Sequence, residues 1–209
     1  MDQSHQPAPQ PPRPHRPSLH ADLTAVIDAA GGESPAARSE VAAATAAVVV
    51  SAGRRDGGDR FVELADRVGI DTLAELWKNA DPVSLPGALW ALYVLRQWCH
   101  SNGEEVRMLW RAGAGLAPAD AVVAGLAEAA DVDSVHQMAD AVLGGVYGGD
   151  LDVALERAAA LFRVVAVGRR ELAGPDERGD AERALADRNE RVAADLTTAA
   201  RTWRAGTLH

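Results

Sequence analysis

Residues 84–113 constrain the fold more than any other stretch, because most of the large aromatic side chains are concentrated there. The stretch holds three of the five tryptophans (Trp90, Trp98, Trp110), one of the two tyrosines (Tyr93) and the only cysteine (Cys99). Large aromatic side chains are most stabilising where they bury area and fill volume. We therefore expect the hydrophobic core to be centred on this stretch.

The composition favours an all-α fold. Hydrophobic residues make up 47% of the 209-residue chain, but aromatic residues make up only 4%, and alanine is abundant. Alanine is the best helix former and allows helices to pack closely. Segments with the two-residue alternation of β-strands are absent. The length suits one domain, which we place at residues 18–209.

The helical pattern divides into nine or ten short to medium segments, which predicts a multi-helix bundle. The predicted helices span residues 19–30, 35–52, 61–69, 71–77, 84–101, 103–113, 118–126, 133–146, 151–170 and 176–203. Helix 84–101 has Ser84 as its N-cap, Pro86 in its first turn and apolar residues almost all round, so it is predicted to be the buried central helix. The densely charged last helix is expected to cap the bundle or reach outward.

Residues 1–17 differ in composition from the rest of the chain. They contain six of the eleven prolines, with Gln, His and Arg between them. Such a segment cannot bury enough apolar surface to order itself, which predicts a disordered tail. A proline motif that docks on a partner is the alternative.

The charge and the single cysteine limit the partners and the compartment. The net charge is −9, and leaving out Asp2, Arg13 and Arg16 gives −10 for residues 18–209. Such a surface repels nucleic acid and anionic lipid unless its basic residues are segregated. One cysteine cannot form an internal disulfide, and neither an export signal nor an apolar run of about 18 residues is present. We expect a cytoplasmic protein with no cofactor and no membrane contact.

Residues 61–79 resemble the first half of a helix-turn-helix. Ala65 and Gly69 have the expected spacing, with apolar residues beside them. The second helix would need basic or amide side chains to contact bases and phosphates, and Lys78 is its only cation. Its apolar positions are also out of step with the motif. Two packed helices are the preferred interpretation, and DNA binding is the alternative.

Asp133, His136 and Asp140 are the candidate metal ligands. Their spacing places them on one face of a helix, where they could hold a divalent ion. Metal sites in helical bundles need matching ligands from other helices, such as a second Glu-x-x-His, and the sequence has none. The preferred interpretation is that Asp133 caps the helix and His136 lies at the surface, so no metal is predicted.

Three other patterns do not indicate catalysis. The glycine-rich residues 144–149 precede a helix but lack the Lys-Ser/Thr ending of a phosphate loop, which favours a flexible break. Cys99 and His100 are adjacent in a helix, so their side chains point about 100° apart and cannot form a nucleophile–base pair. The aromatic residues of 77–110 could line a small-molecule pocket, although core filling explains them as well.

The string Trp-Arg-Ala-Gly occurs twice, at 110–113 and 203–206. Both copies fit one way of ending a helix. The tryptophan is an apolar anchor, the arginine contacts the last carbonyls, and the glycine adopts the left-handed conformation of the cap. Without a longer repeat around them, the two copies indicate convergence and not duplication.

Two longer strings carry a resemblance to a known family. Residues 84–90 (SLPGALW) and 150–160 (DLDVALERAAA) resemble a family of small all-helical proteins from high-GC bacteria, over about residues 60–206. Some members carry an automatic label as RNA polymerase beta subunit. A true beta subunit is many times longer and largely non-helical, so the label does not fit. The resemblance implies a helical fold and transfers no catalytic residues.

The leading hypothesis is a non-catalytic cytoplasmic protein that acts through a protein partner or as a homodimer. The candidate interaction residues are Trp98, Arg107, Trp110 and Arg111, at the edge of the aromatic stretch. The alternatives are DNA binding through residues 61–79 and a helical enzyme that binds a metal or a ligand at Asp133, His136 and Asp140.

Overall fold

The computed structural model describes residues 35–56, 76–126, 131–148 and 150–209, and within these ranges the regular structure is entirely α-helical. The described helices are α1 (Pro35–Asp56), α2 (Leu85–Ser101), α3 (Gly103–Gly113), α4 (Pro118–Ala124), α5 (Val132–Gly148), α6 (Leu151–Leu172) and α7 (Glu177–Arg204). The predicted all-α class is therefore confirmed, whereas the predicted nine or ten helices are not, since the described ranges hold seven. The predicted tail, helices 19–30 and 61–69, and most of 71–77 lie outside the described residues.

The helix starts follow from local capping chemistry. The Ser84 hydroxyl accepts a hydrogen bond from the Gly87 amide (3.2 Å), as predicted for the start of α2. Asp176 caps α7 in the same way, accepting from the Gly179 amide (2.9 Å). The predicted cap of α5 is wrong by two residues, because it is Asp131 that accepts from the Ser134 amide (2.8 Å). Each of these caps satisfies one backbone amide that the first helical turn leaves without an acceptor.

The core is shared between α2 and α6. Helix α6 packs against α7, α3, α4 and α5, and more lightly against α2. Helix α2 packs against α5 and α1, and more lightly against α7, α3 and α6. The prediction that helix 84–101 alone forms the centre is therefore not confirmed. Helix α7 lies along α6 and caps the bundle, instead of reaching outward.

The contact between α3 and α6 is close enough for the two backbones to touch. A Cβ atom added to Gly113 would lie 2.0 Å from the Val164 carbonyl oxygen, and one added to Gly168 would lie 2.0 Å from that of Leu109. Residue size at a crossing sets the separation of two helices. The two glycines therefore hold α3 and α6 at the shortest separation that the backbones allow.

The two Trp-Arg-Ala-Gly strings differ in the structure. Gly206 has φ 71° and is the predicted left-handed cap, whereas Gly113 is helical and serves the crossing with α6. The Arg204 guanidinium contacts two carboxylates of α6, those of Asp152 and Glu156, both at 2.6 Å. The expectation of one shared capping device is therefore wrong for Gly113 and for Arg204.

Candidate functional site

An apolar groove lies between α2 and α7, with contributions from α6 and from the chain before α2. It encloses about 390 Å³, at the lower end of the range of ligand sites in proteins. We call it the tryptophan groove. It is lined by Lys78, Ala80, Pro82, Gly87, Trp90, Ala91, Val94, Leu95, Trp98, Phe162, Arg169, Asn189, Val192, Asp195 and Leu196.

A stripe of three large apolar residues on α2 forms one wall of the tryptophan groove. Trp90, Val94 and Trp98 recur every four residues and so lie on one helix face. Val94 is 42% exposed, and both tryptophans are only half-buried. Helix α2 is therefore not buried on every side, contrary to the sequence prediction. At about 1.5 Å per residue, the two tryptophans lie about 12 Å apart along the helix.

The other three tryptophans do not line the groove. Trp77 and Trp110 are fully buried, and the Trp77 indole donates to the Thr45 hydroxyl (3.1 Å). Trp203, like Trp90 and Trp98, is partly buried and packs against the core, but it does not line the groove. Trp110 therefore does not reach a surface where a partner could contact it, and its prediction as an interaction residue is wrong. Trp98, predicted with it, does line the groove.

Arg169 supports Trp98 from inside the bundle. Its side chain is nearly buried, and the guanidinium carbon lies 5.6 Å from the centroid of the Trp98 ring, within the range of a cation–π contact. The guanidinium also pairs with Glu105 of α3 (2.8 Å) and Glu182 of α7 (2.6 Å). Arg169 thus links three helices and fixes the position of the Trp98 ring.

The polar groups of the tryptophan groove are not fully satisfied. The Nε atom of Arg169 and the Nδ2 atom of Asn189 are buried without a hydrogen-bond partner. In the described part of the chain, the half-buried Asp195 carboxylate forms no ion pair. A buried donor without an acceptor is costly. The groove therefore combines an apolar wall with two buried donors that have no acceptor, one negative charge at Asp195 and positive charges at Lys78 and Arg169.

Arg107 and Arg111, the other predicted interaction residues, lie outside the groove. The Arg107 side chain donates to the Glu104 carboxylate one turn earlier in α3 (2.8 Å). Arg111 is exposed on the same helix. Neither residue lines the cavity beside Trp98. The structure therefore does not gather the four predicted residues into one site.

The candidate metal ligands do not converge either. One oxygen of Asp140 accepts from Arg96 Nε (2.7 Å) and lies 3.0 Å from His100 Nε2. His136 is half-buried and stacks on His100 with centroids 4.5 Å apart, whereas Asp133 is exposed. Among the described residues, no group of three or more His, Cys, Asp or Glu side chains could hold a metal ion. Asp140 instead ties α5 to α2.

Cys99 packs in the core, as its apolar helix predicts. Burial, with a smaller contribution from the negative charge of Asp140, raises the pKa of the Cys99 thiol to about 12. The thiol therefore stays protonated near neutral pH and is a poor nucleophile. Its chemistry gives no support to a catalytic role.

The remaining sequence motifs either continue a helix or lie mostly outside the described ranges. Gly144 and Gly145 are helical and α5 continues to Gly148, so the predicted break does not begin at 144. Of the helix-turn-helix candidate, only residues 76–79 are described, and among them Lys78 is exposed and lines the tryptophan groove. DNA binding through residues 61–79 stays a prediction. No helix in the described ranges has the length and apolar character needed to cross a membrane.

Comparison of the chain with protein-family models, curated proteins and solved structures found no match.

Sequence reasoning found Trp98 but missed most of the groove. The stripe of Trp90, Val94 and Trp98 was visible as a repeat of four residues, and it signals a face of large apolar side chains. Asn189 and Asp195 of the opposite wall carry no comparable signal, because a charged helix has many such residues. Only the packing of α7 beside α2 brings them to the groove.

Proposed function

We propose that this protein is a non-catalytic interaction protein. In this proposal the tryptophan groove binds an extended, proline-rich segment of a protein partner, and the segment carries an arginine. The observation that carries the proposal is the pair of half-buried rings, Trp90 and Trp98, on one face of α2. Accessible tryptophans in an apolar groove are typical of surfaces that a partner covers.

The distance between the two rings of the tryptophan groove suits an extended segment. A polyproline II segment rises about 3.1 Å per residue, so four residues match the roughly 12 Å between the two tryptophans. Its proline rings can pack on the indoles, and this conformation is recognised by aromatic-lined grooves elsewhere.

The Asp195 carboxylate of the tryptophan groove favours an arginine in that segment, whereas Lys78 and Arg169 of the same lining carry positive charge. A guanidinium can pair with the Asp195 carboxylate and also stack on an indole. The net charge of −9 further favours a basic partner.

The test is a titration of the full-length protein with a short polyproline peptide that carries two arginines, followed by tryptophan fluorescence. We expect a saturable change with a dissociation constant below about 1 mM. A peptide with glutamates in place of the arginines should bind more weakly. Absence of saturable binding by the arginine peptide would contradict the proposal.

Variants show whether the peptide occupies the tryptophan groove. Trp90→Ala and Asp195→Asn should each weaken binding by about tenfold, because about 1.4 kcal/mol corresponds to that factor. Met108→Ala, which changes an exposed apolar residue of α3 outside the groove, is the matched control and should bind as the wild type does. A concentration-dependent dimer that Trp90→Ala dissociates would assign the groove to a second copy of the chain instead.

A further inference from the structure

We infer that Glu105 of α3 and Glu182 of α7 set the charge preference of the tryptophan groove, although neither residue lines it. The inference rests on the proposed function, because it concerns the charge of the segment that the groove is proposed to bind. The two glutamates neutralise Arg169, the basic residue of the lining that comes from α6. The groove can then favour a basic segment although its own wall contains a guanidinium.

The burial of Arg169 makes its charge important for anything that binds in the tryptophan groove. Its side chain is only 7% exposed, so the guanidinium has little access to water. A buried charge without a partner of opposite sign is costly, and its interactions are screened by salt much less than those of an exposed charge. An uncompensated guanidinium at this position would therefore repel a cation that enters the groove.

Two carboxylates compensate the charge of Arg169. The Nη2 atom of Arg169 donates to a carboxylate oxygen of Glu105 (2.8 Å), and the Nη1 atom donates to one of Glu182 (2.6 Å). Both distances are those of charge-assisted hydrogen bonds. Two carboxylates against one guanidinium leave this cluster with one negative charge. The cluster is therefore a weakly negative neighbour of the groove and not a positive one.

The cluster of Arg169, Glu105 and Glu182 acts at the Trp98 end of the groove. The guanidinium carbon of Arg169 lies 5.6 Å from the centroid of the Trp98 ring. Charges closer than the Debye length, which is about 8 Å at physiological ionic strength, still interact. A charged segment that packs on the Trp98 indole therefore interacts with the net charge of the cluster.

The other charged residues of the lining do not decide the preference by themselves. Lys78 and Asp195 carry opposite charges, and the exposed Lys78 is screened by solvent more than the half-buried Asp195. If Arg169 had no partners, the three charged residues of the lining would together be positive. With Glu105 and Glu182 included, the same region is negative. The two glutamates therefore reverse the sign of the net charge at the groove.

The test compares two peptides on the full-length protein. One is the polyproline peptide with two arginines, and the other has glutamates in their place. The preference is the dissociation constant of the glutamate peptide divided by that of the arginine peptide, and we expect a value above one for the wild type. Glu105→Gln and Glu182→Gln should each lower this ratio by about tenfold, because loss of one negative charge changes the two affinities in opposite directions by about threefold each.

The variants are chosen to separate charge from structure. Glutamine keeps an oxygen that can accept from the guanidinium, so the substitution removes the charge and keeps the hydrogen bond. A looser Trp98 ring would weaken both peptides alike and leave the ratio unchanged. Arg169→Met removes the positive charge and leaves both glutamates, so it should raise the ratio instead. Glu104→Gln is the matched control, because Glu104 lies on the same helix and pairs with Arg107.

The outcomes distinguish this inference from the proposed function. If the wild type binds the arginine peptide but the ratio is unchanged in Glu105→Gln and Glu182→Gln, the inference is overturned and the proposed function stands. An equal fall of the ratio in Glu104→Gln also overturns the inference, because the effect would then belong to the charge of the whole surface. Binding of neither peptide to the wild type would overturn both.

Discussion

Two pairs of helices in this bundle pack in opposite ways. Helices α3 and α6 are in close contact, whereas α2 and α7 leave a cavity between them. At the first, Gly113 and Gly168 let the backbones touch and leave no room for a side chain. At the second, Trp90 and Trp98 line a cavity of about 390 Å³. The comparison teaches that the size of the interfacial residues decides whether two helices form core or leave a binding surface.

The tryptophans show the same contrast at the level of single side chains. Trp110 and Trp98 come from the same aromatic stretch, but Trp110 is fully buried and Trp98 is half-buried in the tryptophan groove. The buried ring contributes to the free energy of folding through its packing. The half-buried ring leaves part of its surface available for binding, so its removal should affect binding more than folding.

The largest expected effect concerns the buried ring. Trp110→Ala should lower the free energy of unfolding by about 3–5 kcal/mol, because it removes a fully buried side chain and leaves a cavity. Trp90→Ala, in the groove, should cost less than half as much. Urea unfolding monitored by circular dichroism measures both. Equal losses would contradict the distinction between core and groove tryptophans.

The next effect concerns the close helix contact. Gly168→Ala should destabilise the fold by about 1–3 kcal/mol, because its Cβ would meet the Leu109 carbonyl and push α3 away from α6. Gly144→Ala is the matched control in helix α5, where a Cβ meets nothing within 4 Å. The control should be stabilised by about 0.5–1 kcal/mol through helix propensity. Thermal unfolding measures both variants. A change of the unfolding temperature in the same direction for both would contradict the close contact between α3 and α6.

An effect of similar size on stability is expected where a buried donor has an acceptor, but not where a buried donor has none. Thr45→Val removes the acceptor of the buried Trp77 indole N–H and should cost about 1–3 kcal/mol. Asn189→Leu removes a donor that already lacks a partner, so it should be neutral or stabilising. Denaturant unfolding of the two variants checks this. A large loss of stability in Asn189→Leu would mean that the Asn189 amide of the wild type has a hydrogen-bond partner in solution.

The smallest effect concerns a face of α2 outside the tryptophan groove, where Arg96 and His100 contact Asp140. Burial raises the pKa of Asp140, but the hydrogen bonds from Arg96 and His100 outweigh burial and hold it below its usual value of 3.8. The contact therefore stabilises the fold above about pH 4, and this stabilisation is lost as the pH falls through the lowered pKa.

The half-exposed position of Asp140 limits that contribution to about 0.2–1 kcal/mol. The Asp140 contact makes the free energy of unfolding larger at pH 6 than below the lowered pKa of Asp140. Asp140→Asn should remove most of this contribution to the pH dependence. The matched control is Asp133→Asn, an exposed residue of the same helix. Acid-unfolding curves that are unchanged in Asp140→Asn would contradict the assignment.

Much of the fold could be predicted because its signals are local. Ser84 and Asp176 can cap a helix wherever the chain lies, and the starts of α2 and α7 follow from them. The candidate site could be predicted only in part. The stripe that contains Trp98 is local to α2, whereas its neighbours Arg169 and Asp195 come from α6 and α7.

The sequence by itself determined the helical class, the main helix boundaries and the concentration of aromatic side chains in residues 84–113. These depend on propensity, capping and spacing, which act over a few residues. The tertiary structure alone decided that Trp110 is core and that Trp98 lines a groove. That outcome depends on which helices lie beside each ring, and the packing of α6 and α7 settles it because residues distant in sequence must share the same space.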